Sequence, residues 1–198
     1  MVICATTSGR VHSDVSLRTQ VLELDRDAKP DFASIILGSM NFPNQGVLND
    51  PQTIISIADK MKKFSIHPEW EVFEPGMLHY GQYLVRKGIL EQPKWINIIL
   101  GSLGTSPATS EMLTLFCSML GKNWRWAATG VGRFQLDINT MAIARGGHVR
   151  VGLEDSFYMD KDKKIPATNY DLVMRIVSIA KKYGRKPATV DQTRAMLL

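Results

Sequence analysis

Cysteine is almost missing from this sequence: Cys4 and Cys117 are the only two, they stand far apart, and neither belongs to a Cys-x-x-Cys motif. That excludes a disulfide framework and a thiolate zinc ribbon. Each thiol sits in an apolar run, so both are expected to be buried and reduced, as in a cytoplasmic protein. Long apolar runs are missing as well. No stretch approaches the roughly 20 residues of a membrane span, and the N-terminus lacks a charged region followed by an apolar stretch and a small-residue cleavage site, so no membrane partner is expected. Charge of one sign is scarce: 24 Lys and Arg against 19 Asp and Glu leave a net +5, with no Arg-rich arm. Anionic small molecules remain plausible ligands, and a nucleic-acid partner is not expected. No linker or low-complexity stretch divides the 198 residues, 44% of them hydrophobic, so one domain with a real core is expected.

What is present is alternation. Short apolar runs trade places with longer amphipathic ones, each ending in Gly, Ser, Thr, Asn or Pro, which is the pattern of βα units. Strands are expected at Val2–Thr6, Ala33–Leu37, Glu71–Phe73, Ile96–Leu100, Trp124–Thr129 and His148–Leu153; most are apolar throughout, as buried parallel strands are. Asp50-Pro51 and Ser106-Pro107 each put a side-chain acceptor before a proline, which predicts two helix starts. After Asn169, the residues Leu172, Val173, Ile176, Ile179, Ala180 and Tyr183 recur at helical spacing, and Gly184 stands where a C-terminal cap belongs. A short last helix is expected from about Thr189 through Arg194. The strand starts fall roughly 30 residues apart, the length of a βα unit in an eight-stranded barrel. Six units cannot close in that geometry, because tilt, shear and strand number are linked. An open doubly wound sheet is one solution, and an eight-unit barrel without its first two units is the other. A chain that opens directly on strand residues, Met1 to Ala5, favours the second. The expectation is a single partial (β/α)8 TIM-barrel domain over residues 1–198.

In parallel α/β folds the chemistry collects beyond the carboxyl ends of the strands. The loops there hold Thr6-Thr7-Ser8-Gly9-Arg10, Gly38-Ser39-Met40-Asn41-Phe42, Glu74-Pro75-Gly76-Met77, Gly101 to Ser106, Gly130-Val131-Gly132-Arg133 and Glu154-Asp155. The last is the sharpest. An apolar strand ends in two adjacent carboxylates, and alternation puts Arg150 and Glu154 on one face with Asp155 beyond the strand end. One carboxylate of such a pair can ligate a divalent metal, and the other, held near a guanidinium, can act as a base. An ion pair that merely closes a strand end explains the spacing equally well.

The run Gly-Gly-His-Val-Arg-Val-Gly-Leu-Glu-Asp at 146 to 155 resembles the C-terminal signature of the β-keto acid cleavage enzyme family, which includes the 3-keto-5-aminohexanoate cleavage enzymes. The Thr-Thr-Ser-Gly turn, Gly38 to Phe42, Phe73 to Met77 and the tail from Asn169 to Arg194 agree in order, so the resemblance covers essentially the whole sequence. It implies a zinc-dependent barrel that condenses a β-keto acid with the co-substrate acetyl-CoA and releases acetoacetate and a new acyl-CoA. It also implies residue roles. Glu154 would be the carboxylate ligand of the zinc, Asp155 with Arg150 the proton-transferring dyad, Ser8, Ser39 and Asn41 the hold on substrate carboxylate and keto groups, and Glu74 a wall of the pocket. A completed barrel of this kind is expected to be a homo-oligomer. The sequence departs from the family at the front: the family's two other zinc ligands form a His-x-His pair, and His12, His67, His79 and His148 contain no such spacing. Two rival readings follow. One is an inactive or split-gene fragment that needs an N-terminal partner carrying the His-x-His strand; the other is a different metal-dependent barrel lyase, such as an aldolase using pyruvate.

Other candidates have bland readings beside the functional ones. The glycines at 101 to 106 and 130 to 133 suit a coenzyme A diphosphate or simply tight turns. The basic runs at Lys60 to Lys63, Lys161 to Lys164 and Lys181 to Arg185 read as solvated surface or as a hold on the coenzyme's 3′-phosphate. Trp95, Trp124 and Trp126 flank strands and are expected to pack, and His148 is expected in a helix-to-strand turn at the end away from the rim.

Overall fold

The computed structural model describes all 198 residues apart from the side chain of Arg26. Its strands are β1 (Cys4–Ala5), β2 (Phe32–Ile36), β3 (Met40–Phe42), β4 (Gln45–Val47), β5 (His67–Val72), β6 (Trp95–Leu100), β7 (Trp126–Gly130) and β8 (His148–Val149). Six of them form one parallel sheet in the order β1-β2-β5-β6-β7-β8, and β3 with β4 forms a separate antiparallel hairpin. The helices are α1 (Val15–Arg18), α2 (Pro51–Lys63), α3 (Pro75–Arg86), α4 (Ser110–Met119), α5 (Gln135–Ala144), α6 (Asn169–Lys182) and α7 (Val190–Leu197). The sheet curls: Arg10, beyond β1 at one edge, reaches Glu154, beyond β8 at the other, at 2.6 Å. β1 and β8 do not pair with each other, so the architecture is an incomplete (β/α)8 barrel.

Strand alternation gives the sheet two unlike faces. The outer residues Ala33, Ile35, Trp70, Val72, Ile96, Ile98, Leu100 and Ala128 are buried in one core with Ile54, Ile57, Leu78, Leu84, Leu113, Phe116 and Ile138 of the covering helices. Gly81 is the contact that lets α3 lie flat on this face, since a Cβ there would stand 2.5 Å from the Trp70 ring. The inner face carries Cys4, Ser34, Glu69, Glu71 and Arg150, and it opens at the carboxyl end of the strands.

The expected helix starts divide. Asp50 caps α2 as read, its carboxylate accepting from Thr53 N at 2.7 Å with Pro51 at the first position. Ser106-Pro107 does not start a helix; α4 begins at Ser110, capped by Thr109, because the Ser106 hydroxyl is turned to Glu74 at 2.8 Å. Capping boxes at Thr168 with Asp171 and Thr189 with Gln192 open α6 and α7, and Gly184, at φ +69°, follows the end of α6.

β1 is shorter than expected and β7 starts two residues later, at Trp126, and larger differences lie elsewhere. β5 starts at His67 rather than Glu71, so a polar alternating segment is strand. β8 ends at Val149 rather than Leu153, because residues 150 to 155 turn out of the ladder, with Asp155 N and Ser156 N both donating to Gly152 O. The segment after Gly38 forms a hairpin around a Pro43-Asn44 turn where only a loop was expected. No helix is long and apolar enough to cross a membrane among the described residues.

Candidate functional site

A cavity of about 570 Å³ opens on the inner face at the carboxyl rim. Cys4, Ser8, Arg10, Ser34, Glu69, Glu71, Arg150, Glu154 and Asp155 supply most of its polar wall, and Ile36, Phe42, Phe73, Ile99 and Val131 supply the apolar part. The turn at 150 to 155 is fixed by hydrogen bonds to its own backbone. Asn139 of α5 donates to Ala128 O at 2.9 Å and Arg150 O at 3.0 Å, Gly132 N donates to Asp155 O at 2.6 Å, and Leu153 N donates to the Asn169 side chain at 2.9 Å. These bonds hold Asp155 inward, only 8% exposed.

Arg150 is the hub. Its Nε donates to Asp155 Oδ2 at 3.2 Å, its Nη1 to Glu71 Oε1 at 2.9 Å and its Nη2 to Glu154 Oε2 at 2.8 Å. The other Glu154 oxygen accepts from Arg10 Nη2, and Arg10 lies over the Phe42 ring at 5.1 Å. Burial pulls the Arg150 guanidinium toward losing its proton, and the facing carboxylates of Asp155, Glu71 and Glu154 outweigh that and raise its pKa. Burial pushes Glu71 up to about 7 and the charge of Glu69 adds to it, while Arg150 works against both. Asp155 is likewise raised by burial, with Arg150 opposing. The Cys4 thiol, 2.9 Å from Glu69 Oε2, is pushed far up by burial and then by that carboxylate, so it stays protonated. It also faces the cavity rather than a sealed core, and Cys117 is only half-buried, which corrects the expectation of two buried thiols.

The structure brings together Ser8, Arg150, Glu154 and Asp155 in one cavity wall. Ser102 and Val131, from the glycine-rich loops, also reach it, whereas Ser39, Asn41 and Glu74 do not line it. The Ser39 hydroxyl accepts from Asn49 N at 2.8 Å, and Asn49 in turn accepts from Arg18 at 2.6 Å, so Ser39 belongs to the network that fastens the loop after β1. Asn41 is exposed on the hairpin rim, and Glu74 stands at the N-terminus of α3 with its carboxylate accepting from the Ser106 hydroxyl rather than capping the helix. Sequence reading named Arg10 in the rim turn, Cys4 as a buried thiol and Glu71 as a strand start without giving them a role at the site, and it did not single out Ser34 or Glu69. The alternation Glu69-Trp70-Glu71-Val72 was the available signal, since polar residues at every second position mark a strand with one polar face.

These residues do not make a zinc site by themselves. No group of three or more His, Cys, Asp or Glu is arranged to hold a metal ion among the described residues, and both Glu154 oxygens already face guanidinium groups. Among the described residues no histidine lines the cavity; His67 and His148 lie at the opposite end, against Phe32 and Trp95 at 5.5 and 5.1 Å.

The fold and the site define a class: an incomplete (β/α)8 barrel whose reactive side chains converge at the carboxyl rim. The sequence model of the beta-keto acid cleavage enzyme (BKACE) family matches residues 1–198. The chain belongs to that family. It is 32% identical over 198 residues to a 3-keto-5-aminohexanoate cleavage enzyme of Fusobacterium nucleatum, covering 100% of this chain and 70% of the relative. It is 33% identical over 172 residues to a 3-oxoadipate:acetyl-CoA acetyltransferase of Cupriavidus necator, covering 85% of this chain and 60% of the relative. The fold matches ObcA, solved as a ternary complex with a C4-CoA adduct and oxalate, with TM-score 0.78 and 18% identity over 99% of this chain and 52% of that one. The chain thus spans between about half and 70% of the length of these proteins.

Proposed function

We propose that the cavity serves the acetyl-CoA-dependent cleavage of a β-keto acid, with acetoacetate and a new acyl-CoA as products. The observation that carries this reading is Asp155 buried at the rim against Arg150 Nε, in one wall with Ser8. Burial raises the basicity of Asp155, and the guanidinium keeps its charged form accessible. In this scheme Asp155 takes a proton from the carbon between the keto and carboxyl groups while the Ser8 hydroxyl donates to the substrate's oxygens. That carbon bonds to the acetyl carbonyl, and coenzyme A leaves as a thiolate. The thiolate adds to the original keto carbon, the neighbouring carbon–carbon bond breaks, and Asp155 returns its proton to the departing acetoacetate.

Substrate contact is assigned to Ser8, with Ser39, Asn41 and Glu74 shaping the loops around it. Glu154 is the carboxylate these residues would bring to a zinc ion, whose imidazole ligands would come from outside the 198 residues. No step above passes through the metal. The missing His-x-His spacing and the unpaired outer edges of β1 and β8 favour one further reading, in which turnover needs a complementary chain carrying those histidines. Cytoplasmic location and self-association complete the proposal.

The test is an acetoacetate assay with 3-oxoadipate and 3-keto-5-aminohexanoate, with and without acetyl-CoA, on the chain alone and after co-expression with a segment bearing a His-x-His strand. Product that requires acetyl-CoA supports the reading. Cleavage indifferent to coenzyme A would instead support an aldolase-type lyase.

A further inference from the structure

Glu71 holds Arg150 from the far side of the cavity, and the chemistry above gives it no task. It comes from β5, which stands three places from β8 in the sheet. Its side chain is 13% exposed, against 56% for Glu154. A guanidinium is planar, with its donors in a rigid fork, so fixing one edge decides where the others point. The Nη2 edge is tied to Glu154, which is more than half exposed and shared with Arg10. The Nη1 edge is tied to Glu71, on the last turn of the pleat in a central strand and set by five-residue registry with β2. Arg150 itself sits on irregular chain just past β8. Asp155, at 6% exposure, is itself held inward, so of the two partners that set where Nε points, Glu71 is the fixed one and Glu154 the loose one.

We infer that Glu71 is a positioning residue: it pins the Arg150 guanidinium from the opposite wall so that Nε faces Asp155. The inference rests on the reading of Asp155 and Arg150 as the proton-transferring pair. Without Glu71, Arg150 follows its exposed partner Glu154, and Nε leaves Asp155 without its donor.

The test is NMR of the whole chain labelled with 15N-arginine, following exchange of arginine Nε–H with water. The Arg150 signal is assigned by its loss in Arg150→Lys. Arg18 supplies an internal control of the fold, because its Nε–H donates to Thr7 O at 2.9 Å in a buried site. In Glu71→Ala the Arg150 Nε–H is expected to exchange roughly tenfold faster or more, with Arg18 unchanged. Glu71→Gln keeps an acceptor oxygen at the same reach and is expected to retain most of the protection. Wild-type exchange at Arg150 in Glu71→Ala, with Arg18 intact, overturns the inference, and so does equal loss in the Gln and Ala variants. If Glu71→Ala loses the Arg18 signal too, Glu71→Asp decides by the same two signals, being one methylene short of the guanidinium. Failure of the functional reading looks different: acetoacetate formation survives Asp155→Asn while the Arg150 signal still depends on Glu71.

Discussion

The two faces of the sheet come from the same strands and alternate residue by residue, yet they answer to different demands. On the outer face Ile35, Trp70, Val72, Ile96, Ile98, Leu100 and Ala128 are buried against helices, and of these only Trp70, with an unpaired indole N–H, leaves a side-chain polar atom unsatisfied. On the inner face Ser34, Glu69, Glu71, Asn97, Thr129 and Arg150 occupy the intervening positions. Asn97 and Thr129 are fully buried there with side-chain polar atoms that have no partner among the described residues. A buried group left unsatisfied costs about 1–3 kcal/mol. The outer face therefore holds the fold together, and the inner face gives up stability by burying polar groups without partners.

Adjacent residues of β6 put that contrast to its strongest test. Ile98 points outward at 0% exposure and Ile99 inward to the cavity at 4%. Ile98→Ala is expected to lower unfolding free energy by about 2–5 kcal/mol, and Ile99→Ala by about 1 kcal/mol, since only the first leaves a sealed void. Urea denaturation checks both, and equal losses would break the distinction between the faces.

A somewhat smaller effect comes from pH. Burial raises Glu71 from 4.5 to about 7, so the native state binds a proton that the unfolded state has already released. This contribution is present in full below the unfolded value and is lost as pH rises through about 7, amounting to about 3 kcal/mol at most. Wild type is expected to be more stable near pH 5 than near pH 8 by about 2–3 kcal/mol relative to Glu71→Gln, in which this part of the slope disappears. A parallel pH dependence in both proteins would remove Glu71 from the account.

The smallest effect sharpens the inner face. Asn97→Leu replaces two unpaired polar atoms by apolar ones of similar size, and is expected to leave stability unchanged or raise it by about 1 kcal/mol. A clear loss in the same denaturation experiment would mean that Asn97 has a partner that the hydrogen-bond pattern misses.

The contrast also explains what was legible in the sequence. Outer positions announce themselves as apolar runs, so Ala33 to Leu37 and Ile96 to Leu100 were located within a residue of β2 and β6, and the Asp50-Pro51 cap was read directly. Inner positions break those runs. Glu69 and Glu71 interrupt β5 and made it look three residues long, because a search for continuous apolar strands discards the polar side of an alternating one. The signature at 146 to 155 was recognisable as a set of residues, but its geometry was not. Arg150 reaches Asp155 through a turn rather than along a strand face, and its third carboxylate lies 79 residues away, where only the curl of the sheet brings it near. Arg10 likewise meets Glu154 across 144 residues, a contact no local spacing encodes.

The most direct measurement is acetoacetate formation from a β-keto acid and acetyl-CoA by the wild-type protein and by Asp155→Asn, compared at equal thermal stability. Replacing a proton-transferring carboxylate is expected to slow turnover by about 100-fold or more while leaving the fold intact. Acetyl-CoA-dependent product that all but vanishes in Asp155→Asn is the predicted result. Undiminished product formation by Asp155→Asn would contradict the account.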